Sequence, residues 1–147
     1  MTTSETPFAI GKAVVFWRPA QQAEVAVFAT GPLVYNALLA ARELEKEGIH
    51  VSVINVPSIK PLDQETILRE TKAAGAVVTV EEHQVTGGFG SAIAELLAKH
   101  MPTPIEFIGM QDRFGQSGEA RELIEYYGMG ASHIQDAIKR ARGRKSI

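Results

Sequence analysis

Between residues 24 and 142, short apolar runs rich in Val and Ile alternate with longer stretches whose apolar residues recur at helical spacing. Glu24 to Gly31, EVAVFATG, reads as a strand closed by Gly. Pro32 to Glu47 reads as a helix, with Pro32 suited to the first turn and Gly48 to the exit. Ile49 to Val56 is the next strand, followed by the turn PSIKP. Asp63 is placed to cap a helix that reaches about Ala74 and stops at Gly75. A third strand, AVVTVEE, begins at Ala76, and a helix over about Gly90 to His100 is ended by Pro102 and Pro104. Ile105 to Met110 forms the fourth strand of this series. Towards the C-terminus, Ser117 is positioned to cap a helix reaching Tyr127 and closed by Gly128. Ser132 with Gln135 matches a capping box for a last helix to about Arg142.

Alternating strands and helices, with strands apolar on both faces, predict an α/β domain whose mostly parallel sheet is covered on both sides. Ala13 to Trp17, AVVFW, is a fifth strand. The link to the next strand, RPAQQA, is too short for a helical crossover, so this strand must run antiparallel, at an edge.

Composition narrows the functional classes. At 147 residues the chain is the size of one domain, and its formal net charge of −2 provides no global field to draw in nucleic acid or an anionic membrane. Five of the 15 Lys and Arg fall in the last nine residues, leaving residues 1–138 with a net charge of −7. This basic C-terminus, ending in a tail over residues 143–147, reads as a solvated helix end or as an arm for phosphate or a partner. Residues 1–7 are expected to be a flexible lead-in and 8–142 the domain. The absence of cysteine excludes disulfides, thiolate metal sites and a cysteine nucleophile, and makes the cytoplasm the simplest compartment. No apolar run approaches the length that spans a bilayer.

Candidate chemistry concentrates in Val77 to Glu95, VVTVEEHQVTGGFGSAIAE. If the second and third parallel strands flank the Val25 strand on opposite sides, a topological switch point opens there, and ligands favour such crevices. The candidate binding residues are Thr30, Gly31, His83, Thr86, Gly87 and Gly88. Gly87, Gly88 and Gly90 at a helix N-terminus are expected to leave amides uncovered for a phosphate or carboxylate, unless they serve a turn or close packing. Alternation along the strand puts Glu81 and His83 on one side and Glu82 on the other. Glu81 or His83 is a candidate general base, although His83 suits a loop or interface role better. His50, His100 and His133 show no metal-ligand spacing. P-loop, dinucleotide-binding and nucleophile-elbow signatures are all missing.

The ordered motifs resemble the C-terminal domain of transketolase and related thiamine diphosphate enzymes. They are Gly11-Lys12-Ala13, Phe28-Ala29-Thr30-Gly31, Ile59-Lys60-Pro61-Leu62-Asp63, Val80-Glu81-Glu82-His83 and Gly87-Gly88-Phe89-Gly90-Ser91-Ala92. Ile108-Gly109, Asp112-Arg113-Phe114-Gly115-Gln116-Ser117-Gly118 and Tyr127-Gly128-Met129 complete the set, which covers about residues 8 to 141. Deoxyxylulose-phosphate synthases and the β subunits of 2-oxoacid dehydrogenases share the domain, and the segment from Phe114 looks most like transketolase proper.

The resemblance implies a three-layer α/β/α sandwich around a five-stranded mixed sheet in order 1-3-2-4-5, strand 1 antiparallel. It further implies a structural and assembly module, inactive alone, of an enzyme that transfers a two-carbon ketol unit between sugar phosphates. Thiamine diphosphate and a divalent metal are expected on partner N-terminal and middle domains, with no cofactor, metal or catalytic residue on this chain. No Gly-Asp-Gly signature occurs in the sequence. A homodimer is expected, without nucleic acid or membrane as partner. Phe8, Phe16, Trp17, Phe89 and Phe114 belong either to a patch that sister domains cover or to the core. An independent anion-binding or regulatory module is the alternative reading.

Overall fold

The computed structural model of the chain describes Thr3 and residues 5–146, Ser146 by its backbone alone. Met1, Thr2, Ser4 and Ile147, parts of the expected lead-in and tail, lie outside the described residues.

Five strands form one sheet: β1 (Val14–Trp17), β2 (Val25–Ala29), β3 (Val51–Asn55), β4 (Val77–Gln84) and β5 (Ile105–Met110). Their order is β1-β3-β2-β4-β5, as expected, with β1 antiparallel to β3 at the edge and the remaining pairs parallel. The sequence places this order within reach because β2 is the most completely apolar run, and all five of its residues are buried. A strand that must hide both faces takes the centre.

Alternation then divides the core in two. Val25, Val27 and Ala29 of β2 pack under α1 (Val34–Lys46) and α5 (Ala131–Gly143). Ala26 and Phe28 point the other way, beneath α2 (Gln64–Ala74) and α3 (Phe89–His100). Ala37, Ala40 and Ala41 of α1 and Ala137 and Ala141 of α5 are fully or almost fully buried. Small side chains on both helices allow them to approach each other closely over the sheet. The short α4 (Ala120–Tyr126) buries no residue.

Local signals account for most boundaries. Asp63 caps α2 by accepting a hydrogen bond from Thr66 N–H at 3.2 Å, and Gly75 ends that helix in the left-handed conformation, φ 77°. Its second oxygen accepts Ala13 N–H at 2.9 Å, while Gly11 N–H donates to Ser58 Oγ at 2.7 Å. Two motifs some 50 positions apart are thereby fastened together, Gly11 lying where a Cβ would press on the Pro61 ring. Burial acts to raise the Asp63 carboxyl, but the bonds from Ala13 and Thr66 and the nearby Lys12 charge outweigh it. They hold the group below the usual carboxylate range.

Two helix starts depart from expectation. Ser117 does not cap α4, which begins at Ala120 after Glu119. Nor does Ser132 cap α5: Gly130 does, with Ser132 already inside the first turn and Ile134 N–H bonded to Gly130 C=O at 3.1 Å. A Cβ at Gly130 would meet the carboxylate at the end of the Glu125 side chain, and the helix starts directly after this glycine.

The basic tail is not a free arm. Arg144 donates to Ile105 C=O and to Glu106, both at 2.8 Å, and Lys145 Nζ donates to Glu24 C=O at 3.0 Å and Ala74 C=O at 2.7 Å. Arg140 pairs with Glu106, Arg142 with Glu24 and Lys139 with Glu47. These cations strap the amino ends of the strands. No described helix is long and apolar enough to cross a membrane.

Candidate functional site

At the carboxyl end of β4 the chain changes from apolar to ionisable. Val80 is the last apolar residue, and Glu81 follows it into the interior, wholly buried, on the side covered by α3. Its two oxygens accept Phe89 N–H at 2.7 Å and Gly90 N–H at 2.8 Å. A helix N-terminus leaves such amides without partners, and the helix dipole favours a negative charge beside them. Here the anion is supplied by the protein itself.

Three glycines make room for that carboxylate. At Gly88 a Cβ would run into Gln84 C=O and stand 2.5 Å from Glu81 Oε2. At Gly90 it would stand 2.5 Å from Thr79 Oγ1 and 2.9 Å from the Phe107 ring, and at Gly109 3.1 Å from Glu81 Cγ. Gly87 has a different task, since its φ of 76° makes the turn into α3. The expectation of uncovered amides is therefore corrected. Besides the two bound by Glu81, Gly87 N–H donates to Ser91 Oγ at 3.0 Å and Gly88 N–H to Val85 C=O at 3.1 Å.

As alternation predicts, His83 shares the Glu81 side, its Nδ1 3.3 Å from Glu81 Oε2, whereas Glu82 is exposed elsewhere. Glu81 has no accessible oxygen with which to approach a substrate. The general-base reading loses its support at that residue.

An open cleft of about 500 Å³ adjoins the loop, and His83, Thr86, Gly87 and Gly88 line it together with Ile59 and Glu95. Thr30 and Gly31 do not line it. Thr30 is buried with its N–H bonded to Val80 C=O at 3.1 Å, and Gly31, φ 66°, opens a 3-10 turn ahead of α1. The six candidate residues thus fall into one cleft-lining group of four and a separate pair. The amides of Gly87 to Gly90 are taken, so this turn offers no cradle for a diphosphate, and the described residues contain no group of three His, Asp or Glu able to hold a metal ion.

Two residues that sequence reasoning did not single out hold the neighbouring loop. Gln84 accepts Asp112 N–H at 3.0 Å and donates to Arg113 C=O at 3.0 Å, and Tyr127 OH donates to Phe114 C=O at 3.1 Å. Asp112, with φ 51°, is the one described non-glycine residue of positive φ. The proposed aromatic patch divides accordingly. Phe89 belongs to the core, Phe16 and Trp17 are half-buried against it, and Phe8 and Phe114 are exposed.

The sheet order, the two helical layers and this self-sealed strand–loop–helix junction define a three-layer α/β/α domain of one recognisable kind. The family model for the transketolase C-terminal domain matches residues 14–134, and the chain belongs to that family. It is 41% identical over 140 residues to the 6-deoxy-6-sulfo-D-fructose transketolase subunit SqwH of Clostridium sp. (strain MSTE9), covering 95% of this chain and 42% of that protein. It is 43% identical over 120 residues to 1-deoxy-D-xylulose-5-phosphate synthase 2 of Geobacter sulfurreducens, covering 80% of this chain and 19% of that one. A solved split gene transketolase, described as an inactive beta4 tetramer, superposes with a TM-score of 0.91 at 37% identity, over 98% of this chain and 46% of its own. The chain therefore spans less than half the length of each of these three relatives.

Proposed function

We propose that this chain is the C-terminal structural and assembly module of a transketolase that moves a two-carbon ketol unit between sugar phosphates. Thiamine diphosphate and a divalent metal are then held by N-terminal and middle domains, in the cytoplasm. The observation that carries this reading is coverage: 95% of the chain aligns with 42% of a transketolase subunit, and 98% superposes on 46% of a split transketolase chain. The deoxyxylulose-phosphate synthase likeness is as high in identity but spans 120 residues rather than 140, which favours transketolase. The closed amides around Glu81 argue against an independent module that binds anions there.

Reconstitution tests the proposal. Mixing the chain with the cognate cofactor-binding domains should restore ketol transfer between sugar phosphates, with neither part active alone. Full activity of those domains without this chain would sink the reading.

A further inference from the structure

Six large hydrophobic side chains are exposed among the described residues: Phe8, Ile10, Tyr35, Ile59, Phe114 and Tyr126. All belong to the carboxyl end of the sheet. Phe8 and Ile10 precede β1, which is antiparallel and starts opposite Asn55, the last residue of β3. Ile59 follows β3, Tyr35 sits in the first turn of α1 after β2, and Phe114 follows β5. Tyr126 ends α4 just before α5, a helix whose far end reaches Ile105 at the amino end of β5 through Arg144. The amino end carries no such side chain and is closed by the pairs of Arg140, Arg142 and Arg144 with Glu24 and Glu106. An apolar rim at one end only, on a domain whose sheet faces are already covered, marks an interface.

Phe114 is its most informative member. The loop that carries it buries none of residues 111–119, yet Gln84 grips it twice and Tyr127 once. Ordering a loop costs about 1–2 kcal/mol per residue in conformational entropy, and no burial within the domain offsets that cost. The three bonds hold the backbone of Asp112, Arg113 and Phe114 while leaving the Phe114 ring fully exposed, so that an anchor is ordered before any contact is made. Ile59, which follows β3 three strands across the sheet from β5, and the cleft beside His83 extend the same rim.

From this placement we infer that the carboxyl rim, with Phe114 as its anchor, docks on an apolar surface of the cofactor-binding part of the enzyme. The inference rests on the proposed function. Its partner is indicated by length: in SqwH and in the split transketolase, more than half of the subunit lies beyond the segment matched by this domain. That remainder needs a face of the domain to rest on, and the rim is the open apolar one.

Binding of the full chain to the cognate cofactor-binding domains, followed by sedimentation and by recovery of ketol transfer, tests the rim. Phe114→Asp should weaken association at least about tenfold, the scale of a central aromatic anchor, with an unchanged melting temperature because the ring contacts no core. Lys72→Glu, exposed near the amino end, should bind as the unaltered chain does. Binding of Phe114→Asp within twofold of the unaltered chain overturns the rim while leaving the assembly module intact. Failure of the unaltered chain to bind overturns both. Loss of self-association by Phe114→Asp, with binding to the other domains unchanged, assigns the rim to a second copy instead and overturns the partner named here.

Discussion

The two ends of the sheet solve opposite problems with the same kinds of residue. At the amino end, acidic side chains near the starts of β2 and β5 meet cations from the last turns of the chain, and most of these pairs remain partly exposed. At the carboxyl end, the principal acidic group is drawn wholly inside and bonded to backbone amides, and exposed apolar side chains stand on the rim among polar ones such as Glu82, Asp112 and Arg113. The first arrangement closes a surface against water at little energetic gain per pair. The second fixes the turn into α3 from within. Charge can therefore seal one end of a domain from outside and brace the other from within.

Substitutions at the two ends should separate sharply in cost. Glu81→Ala leaves two buried amides without partners and should lower unfolding free energy by about 4 kcal/mol, measured by urea denaturation. Glu81→Gln, which restores one acceptor, should cost about half of that. A loss below 1 kcal/mol for the alanine variant would erase the contrast. Gly90→Ala drives a methyl against Thr79 and Phe107 and should cost about 1–3 kcal/mol, with amide exchange fastest at Phe89 and Gly90.

Asp63 sharpens the comparison through pH. Its folded carboxyl titrates below its unfolded value, so its stabilisation is complete above the unfolded pKa and disappears as pH falls through the folded one. Glu24 at the amino end behaves likewise: burial raises it, but the His50 N–H and the Arg142 ion pair lower it further. The melting temperature should therefore fall on acidification below the ordinary carboxylate range. Asp63→Asn should flatten part of that dependence and cost about 1–2 kcal/mol at neutral pH through the weakened cap. Arg144→Ala should have the smallest effect, about 0.2–1 kcal/mol and diminishing with salt, since its side chain is half exposed. Equal costs for Arg144→Ala and Glu81→Ala would show that the two ends are not built differently.

Much of the framework is legible without coordinates because its causes are local. Gly48 and Gly75 stop helices where φ must be positive, Asp63 caps its helix, and the short RPAQQA link forces β1 to reverse. Helix starts at Glu119 and Gly130 escape such reading, since nearby serines offer equally good local caps.

In the candidate site, sequence alone determined that Glu81 and His83 face one way, a consequence of strand alternation, and left the glycines open between an anion cradle, a turn and close packing. It could not show that the glycines enclose a carboxylate, because the enclosure is assembled from α3, β4 and β5 together. The tail is a similar case: its charges are plain in the sequence, but their partners lie more than 100 residues away for Arg142 and Lys145. Whether a charge is solvated, paired or buried depends on what the folded chain brings to it, and only the tertiary structure decides that.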